Sequence, residues 1–185
     1  FDCGMANALI DDWMSQRTNY SYDEGGEFAA TGVVDSIALS KMLDAPFFSA
    51  SFPKSLDRKD FNLNMVASLS AQDGAATLTA FSAKAVAMGL NLFPVKPKRL
   101  IVCGGGRKNS TMIRMIEQYS EISTVTTDEL GWDGDAIEAQ GFAYLAYRCL
   151  HGLPITYPGT TGVAEPMSGG ILTRPEKTAM QEVQA

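Results

Sequence analysis

Three consecutive glycines, Gly104, Gly105 and Gly106, directly follow a short apolar segment. Because they lack a Cβ atom, they let the backbone approach a ligand closely, and a helix that begins after them offers unpaired N–H groups at a positive dipole end. A nucleotide could bind there, although the same glycines could equally form a tight turn. The run matches neither usual phosphate motif, because Arg107 stands where a P-loop needs glycine and Asn109 replaces the third glycine of a dinucleotide fingerprint.

A second group of candidate residues lies at the start of the chain, where Asp2 and Gly4 precede Asn7. We expect Asp2 at the end of a strand and Asn7 at the start of the following helix. The Asp2 carboxylate could hold a hydrated Mg²⁺, while Gly4 and the helix N-terminus could face phosphate oxygens. The alternative is that Asp2 or Asn7 caps the helix, a role that both residue types fill routinely.

Glu138 is the third candidate. Its spacing from Phe142, Leu145 and Cys149 places a carboxylate on the apolar stripe of a predicted helix. Burying a charge without a partner is costly, so we expect such a position to have a functional reason. In the first helical turn, Glu138 could point toward a cleft, or it could stabilise the helix through the helix dipole.

A long predicted loop, residues 47–64, contains Lys54 and Arg58. Long loops in compact domains are often functional, and these two cations could contact a phosphate or carboxylate, with Asp57 and Asp60 as their partners. The alternative is a solvated cluster of charges. The aromatic residues of this loop are expected to anchor it to the core.

The sequence gives little support for metal or thiol chemistry based on histidine and cysteine. Cys3, Cys103 and Cys149 are far apart and odd in number, which suggests neither a disulfide framework nor a zinc site and fits a reducing cytosol. His151 is the only histidine, and we expect it to be partly exposed just past a helix end.

The composition is that of a soluble globular protein with one domain. The 185 residues are 45% hydrophobic and 19% charged, with a formal net charge of −6. This acidic balance argues against a nucleic-acid partner, since phosphate binding draws on clustered Lys and Arg. No apolar run approaches the roughly 20 residues that a membrane span needs, so we expect no membrane partner either.

Strands alternate with helices in the predicted order of elements, which indicates an α/β architecture with at least partly parallel strand pairing. Strands are predicted at residues 1–3, 99–103 and 122–126. Helices are predicted around residues 27–30, 34–43, 73–90, 110–119 and 135–150, the last ending near Gly152 and Pro154, with a further helix carrying Leu9, Ile10 and Trp13. The spacing of Leu78, Phe81, Ala85 and Met88 predicts an amphipathic helix packed on the sheet. Residues 174–185 are predicted to be a detachable tail.

Five stretches of the sequence resemble the anhydro-N-acetylmuramic acid kinases along almost the whole chain. The family has Asp-x-Gly-Pro-Gly-Asn, Pro-Lys-Ser-Thr-Gly-Arg-x-Asp-Phe and Cys-Gly-Gly-Gly-x-x-Asn motifs. The matching positions here are residues 1–7, Pro53 to Ser55 with Arg58, Asp60 and Phe61, residues 75–79, residues 102–109, and a block from Asp135 through Glu138 to Gly152, Pro154 and Gly162.

The resemblance implies an actin-like ATPase (ribonuclease H-like) fold with a mixed sheet flanked by helices. Residues 1–185 would form the C-terminal domain of a two-domain sugar kinase, with the N-terminal domain and its catalytic aspartate upstream and absent from this chain. The start of the sequence inside an expected strand, without Met, agrees with a chain cut from something larger. The isolated chain is therefore expected to be inactive.

The resemblance also implies roles for the candidate residues. Asp2, Gly4 and Asn7 would belong to a phosphate segment with Mg²⁺ on Asp2, Gly104 to Gly106 and Asn109 would bind the adenosine of ATP, and Glu138 would bind the sugar. The implied reaction opens the 1,6-anhydro ring of anhydro-N-acetylmuramic acid and phosphorylates O6, in cytoplasmic cell-wall recycling. A homodimer is an expectation by resemblance.

Two departures from the family pattern keep other functions open. Met5 and Ala6 replace the family's Pro and Gly, and Leu56-Asp57 replaces Thr-Gly. A diverged actin-like module that holds nucleotide without kinase activity is therefore an alternative. A third hypothesis, a dinucleotide-binding oxidoreductase domain, depends only on the glycine turn.

Overall fold

The computed structural model describes residues 1–174. The chain divides into two compact units, Phe1–Glu138 and a second unit that begins at Ala139. Both helices and parallel strands are present, so the predicted α/β class is confirmed.

Six α-helices lie within the first unit. They are α1 (Ala8–Arg17), α2 (Glu27–Ala30), α3 (Ser36–Leu43), α4 (Pro46–Ser49), α5 (Ala71–Leu90) and α6 (Ser110–Ser120). Short 3₁₀ turns occupy Glu24–Gly26, Asn64–Val66, Gly105–Lys108 and Asp128–Leu130. Helix α7 (Ile137–Leu150) begins at the end of this unit, and α8 (Pro158–Thr161) follows it.

Helix α5 is the centre of the core. The Ser70 side chain caps its start by accepting a hydrogen bond from the Asp73 N–H at 3.0 Å. The helix predicted at residues 73–90 is confirmed, but residues 74–83 are all buried, so its predicted amphipathic character is wrong. Small residues explain the difference, because a Cβ on Gly74 would lie 2.2 Å from the Trp13 ring and helix α1 could not pack so closely.

The sheet has two strands among the described residues, β1 (Leu100–Val102) and β2 (Thr124–Thr126), which pair in parallel with Ile101 opposite Val125. The strand predicted at residues 1–3 is wrong, since that segment makes a single backbone hydrogen bond, from the Asp2 N–H to the Lys54 carbonyl at 3.1 Å. The mixed sheet implied by the resemblance is likewise not seen here. A strand forms only where a second strand pairs with it in register, and a segment as short as residues 1–3 does not specify that partner.

Aromatic side chains join the long loop to the core, as predicted. Phe48 packs edge-on against Phe81, with ring centroids 5.7 Å apart, and Phe61 lies 5.1 Å from the same ring. Within this loop α4 forms one short helix that the sequence analysis did not predict, with Pro46 in its first turn.

The second unit contains the end of α7, which stops where predicted. Gly152 has a φ of +63°, the left-handed conformation that favours glycine. Its N–H donates to the Cys149 carbonyl at 3.2 Å, and the Leu153 N–H donates to the Arg148 carbonyl at 2.9 Å, so two terminal carbonyls of the helix are satisfied. His151 is exposed beside this end, as expected.

The helices of residues 1–174 include none that combines the length and apolar character needed to cross a membrane. The predicted tail falls mainly on residues 175–185, which lie outside the described residues.

Candidate functional site

A cavity of about 520 Å³ brings most of the predicted site residues together. It is lined by β1, by the glycine turn that follows, and by residues of α5 and α6 that include Val86 and Ile116. The candidate residues that line it are Gly4, Asn7, Gly104, Gly105, Gly106 and Glu138. Asp2 and Asn109 do not line it.

The glycine turn needs glycine at one position and leaves open space at the next. Gly104 has φ +70° and ψ −172°, a region that side-chain-bearing residues essentially never adopt. A Cβ on Gly105 would meet no atom within 4 Å, whereas one on Gly106 would lie 3.8 Å from the Asn7 amide nitrogen. The turn therefore exposes its backbone to the cavity, which is the property that the sequence analysis expected of a ligand-binding turn.

Asn109 has a structural role that the sequence analysis did not assign. It is 5% exposed and caps α6, because its Oδ1 accepts a hydrogen bond from the Met112 N–H at 2.8 Å. Asn109 also lines a second cavity of about 560 Å³, which shares Asn7 and Gly105 with the first cavity. The two cavities are therefore neighbours across Asn7 and the glycine turn.

Asn7 carries the clearest sign of a ligand-binding position. It stands at the N-cap position of α1, but its side chain makes no capping hydrogen bond, so capping does not explain it. Its Oδ1 atom is buried and has no hydrogen-bond partner among the described residues. An unsatisfied buried acceptor costs about 1–3 kcal/mol, so a donor on a bound molecule at this position would be favoured.

Asp2 and Gly4 are both held by contacts within the chain. The exposed Asp2 carboxylate accepts a hydrogen bond from the Leu56 N–H at 2.8 Å, and it does not cap α1. A Cβ on Gly4 would lie 2.6 Å from the Cβ of Ala85, so packing against α5 already requires glycine. No group of three or more His, Cys, Asp or Glu residues that could hold a metal occurs within residues 1–174. A single carboxylate still fits Mg²⁺, which proteins usually hold with one or two carboxylates and the phosphates of the substrate.

Met5 and Ala6, the two departures from the family motif, differ in their surroundings. Met5 is 7% exposed and belongs to the hydrophobic core. Ala6 is exposed and has a φ of +47°, and its carbonyl accepts a hydrogen bond from the Ser82 hydroxyl at 2.6 Å. The backbone at Ala6 thus has the left-handed conformation that glycine would adopt without strain.

Glu138 lies in the first turn of α7 and is exposed. A Cβ built on Gly104 would be 3.8 Å from Glu138 Oε1, so the carboxylate lies beside the glycine turn. The prediction that Glu138 shares a buried stripe is wrong, since Phe142 is 73% exposed and Leu145 is 40% exposed. The charge remains hydrated and needs no partner inside the protein.

Arg107 is a site residue that the sequence analysis missed. Its side chain is only 4% exposed and makes three hydrogen bonds: Nε to Asp128 Oδ2 at 2.6 Å, Nη1 to Asp135 Oδ1 at 2.8 Å, and Nη1 to the Gly104 carbonyl at 3.0 Å. Lys108 Nζ adds a bond to Asp135 Oδ2 at 3.0 Å. These bonds join the glycine turn to the segment that leads into α7.

The charges of this network reinforce one another. Hydrogen bonds from Arg107 and then Lys108 hold the pKa of the Asp135 carboxyl below its ordinary value of 3.8. A hydrogen bond from Arg107 likewise lowers the pKa of Asp128, and the bonds to Asp135 and Asp128 raise the pKa of the Arg107 guanidinium. Arg107, Asp128 and Asp135 are therefore all ionised at neutral pH.

The cations of the long loop have other partners than the sequence analysis predicted. Lys54 donates to the Phe47 carbonyl at 2.9 Å, and Arg58 pairs with Asp12 at 2.6 Å. Asp60 instead accepts a hydrogen bond from the Asp57 N–H at 2.8 Å. The predicted pairing with Asp57 and Asp60 is wrong, and the structure gives no sign that these cations face the cavity.

The fold and the cavity define an α/β protein in which a buried amide, a glycine turn and a carboxylate surround one ligand-sized space. The chain belongs to the anhydro-N-acetylmuramic acid kinase family, whose model matches residues 1–175. The resemblance stated from the motifs is therefore confirmed, and the oxidoreductase hypothesis loses its support.

Individual relatives agree with this assignment. The chain is 55% identical over 175 residues to the anhydro-N-acetylmuramic acid kinase of Rhizorhabdus wittichii, covering 95% of this chain and 48% of that protein. It is 51% identical over 172 residues to the corresponding protein of Brucella anthropi, covering 93% and 46%. Anhydro-N-acetylmuramic acid kinase 2 of Jannaschia sp. is 52% identical over 170 residues, covering 92% and 45%. The chain spans about half the length of the curated relatives it matches.

Proposed function

We propose that the protein containing this chain is an ATP-dependent kinase that opens the 1,6-anhydro ring of anhydro-N-acetylmuramic acid and phosphorylates O6. The product would be N-acetylmuramic acid 6-phosphate, formed in the cytoplasm during cell-wall recycling. This chain would supply the C-terminal, actin-like half, with the catalytic aspartate in the other half. The supporting observations are membership of the family and the names of relatives that are about twice as long.

The observation that carries the proposal is the composition of the 520 Å³ cavity. The unpartnered Asn7 oxygen and the exposed backbone of Gly104 to Gly106 offer both an acceptor and N–H donors to a polar ligand. Glu138 stands at the same turn and could accept hydrogen bonds from sugar hydroxyls. A nucleotide and a sugar both need such mixed polar groups within one concave site.

Each candidate residue then has a role in the proposed site. Asn7 and the glycine turn, with Gly4 and Asn109 supporting them, would hold the nucleotide, and Glu138 would orient the sugar. The Asp2 carboxylate would hold Mg²⁺ through water. When bound, Mg²⁺ neutralises charge on the phosphates, and phosphoryl transfer depends mainly on such stabilisation and on positioning.

The replacement of Pro and Gly by Met5 and Ala6 favours the second candidate function, a nucleotide-binding module without kinase activity. Two features weaken that alternative. The Met5 side chain is buried in the core, and Ala6 keeps a left-handed backbone. The substitutions therefore retain the backbone conformation expected of glycine at residue 6, and an active kinase remains the better-supported function.

The test is sugar-dependent ADP release by the full-length kinase that contains this chain. We expect turnover with 1,6-anhydro-N-acetylmuramic acid, and none from the 185-residue chain alone. Glu138→Ala should reduce kcat/KM for the sugar at least about 10-fold while ATP binding is retained, because a hydrogen bond to a charged group contributes about 1.5–3 kcal/mol and each 1.4 kcal/mol is a factor of ten. Glu117→Ala removes an exposed carboxylate of α6 that lies outside the cavity, and it should leave turnover unchanged.

One result would decide against the kinase activity, and another would decide only against the role of Glu138. ATP binding by the full-length protein without any sugar-dependent ADP release would favour the binding module. Equal kinetics for Glu138→Ala and Glu117→Ala would remove Glu138 from the sugar site but leave the kinase activity standing.

A further inference from the structure

The loop at residues 53–61 resembles one of the family motifs, yet none of its residues lines the 520 Å³ cavity. Two hydrogen bonds join this loop to Asp2. The Asp2 N–H donates to the Lys54 carbonyl at 3.1 Å, and the Leu56 N–H donates to Asp2 Oδ2 at 2.8 Å. The loop therefore contacts both the backbone and the carboxylate of Asp2.

The bond from Leu56 determines the direction of the Asp2 carboxylate. Asp2 is exposed, and an exposed side chain samples several rotamers unless a contact favours one of them. A hydrogen bond to an ionised group is roughly twice as strong as a neutral one, so the rotamer that reaches Leu56 is favoured. The loop also pairs Arg58 with Asp12 of α1, but both side chains are exposed, and such pairs contribute little.

Contacts within the loop fix the position of the Leu56 N–H without help from Asp2. The Leu56 side chain is partly buried against the hydrophobic core. The Lys59 N–H donates to Asp57 Oδ1 at 2.9 Å, and the Asp57 N–H donates to Asp60 Oδ2 at 2.8 Å, so a compact turn follows directly. Because the loop has this order of its own, it fixes the Asp2 carboxylate and not the reverse.

We infer that the Leu56 N–H positions the Asp2 carboxylate for the Mg²⁺ of the proposed kinase. Leu56 is a positioning residue, because it acts through Asp2. Groups that hydrogen-bond a metal-binding carboxylate orient it, and their loss typically costs about 10–100-fold in metal affinity. The replacement of Thr-Gly by Leu56-Asp57 keeps this contact, since the donor is a backbone N–H. The inference rests on the proposed role of Asp2.

Replacing one amide of the loop by an ester tests the inference in the full-length kinase. An ester in place of the Ser55–Leu56 amide removes the N–H and keeps the Leu56 side chain. Mn²⁺ binding in the presence of ADP, followed by electron paramagnetic resonance, should weaken about 10-fold. An ester in place of the Arg58–Lys59 amide is the matched control, because it removes a similar bond to the exposed Asp57 carboxylate, and Mn²⁺ affinity should be unchanged.

Asp2→Ala separates the inference from the role of Asp2 on which it rests. This variant should weaken Mn²⁺ binding at least as much as the Leu56 ester, and adding the ester to it should change the affinity no further, because both act through one carboxylate. Unchanged affinity in Asp2→Ala would overturn the metal role and the inference together. Weaker binding in Asp2→Ala with none in the Leu56 ester, or an equal loss in the control ester, would overturn the inference alone. Mn²⁺ binding is measured without turnover, so a lack of kinase activity would be a separate result.

Discussion

Replacing Ala6 by glycine should stabilise the protein. Ala6 has a φ of +47°, and the left-handed conformation costs a residue with a Cβ roughly 1–2 kcal/mol. Glycine removes that strain but adds freedom to the unfolded chain, which costs about 0.4–1 kcal/mol. Because the Ala6 methyl is exposed and its carbonyl keeps the bond to Ser82, little else changes. The net gain is about 0.5–1 kcal/mol, or roughly 1–4 °C in Tm for a protein of this size.

Ala50→Gly is the matched control for this experiment. Ala50 is also exposed, but its φ of −67° is ordinary, so glycine there should only destabilise, by about 0.4–1 kcal/mol. Thermal and urea unfolding of both variants would measure the difference. If Ala6→Gly were no more stable than Ala50→Gly, the left-handed strain at residue 6 would be refuted. Nucleotide affinity should be unchanged by Ala6→Gly, because the backbone already has the conformation of glycine.

Two further predictions concern the Arg107 network and the glycine turn. Asp135 has a lowered pKa in the folded state, so its contribution to stability is present above its ordinary pKa of 3.8 and is lost as the pH falls through the lower folded value. Thermal unfolding should therefore show Asp135→Asn less stable than the wild type at pH 7, with the gap narrowing as the pH falls below about 4; a constant gap would contradict the ion pair. Gly104→Ala should lower the free energy of unfolding in urea by about 1–3 kcal/mol, because Gly104 has a φ of +70°. Gly105→Ala should change the free energy of unfolding by no more than about 0.5 kcal/mol. It should weaken ADP binding, because it places a methyl group in the cavity. Equal losses of stability in the two glycine variants would refute the strain argument.

Local sequence signals predicted the helices and the glycine turn well. The helix at Glu27–Ala30 has the predicted bounds, and α6 begins directly after the turn at Ser110 because Asn109 caps it. Caps, glycines and periodic apolar residues act within a few positions along the chain. Sequence alone can therefore find them.

Features that depend on distant partners could not be predicted in the same way. Arg107 is separated by 21 residues from Asp128 and by 28 from Asp135, and nothing in the spacing of these charges specifies that they meet. The burial of α5 on all sides likewise depends on which helices surround it. The prediction for Glu138 depended on an apolar stripe of its helix, and that stripe is exposed in the structure. Glu138 does lie beside the glycine turn.

Arg107 links the glycine turn to the segment that leads into α7, and these are the two parts of the candidate site. Its guanidinium holds the Gly104 carbonyl and Asp135, and Asp135 precedes Glu138 by three residues. A nearly buried guanidinium is costly unless its donors are satisfied, so the turn and the start of α7 must keep their positions together. Because a proposed nucleotide group and a proposed sugar group are thereby fixed to one side chain, a change at Arg107 should disturb both ligands, whereas Glu138→Ala should disturb only the sugar.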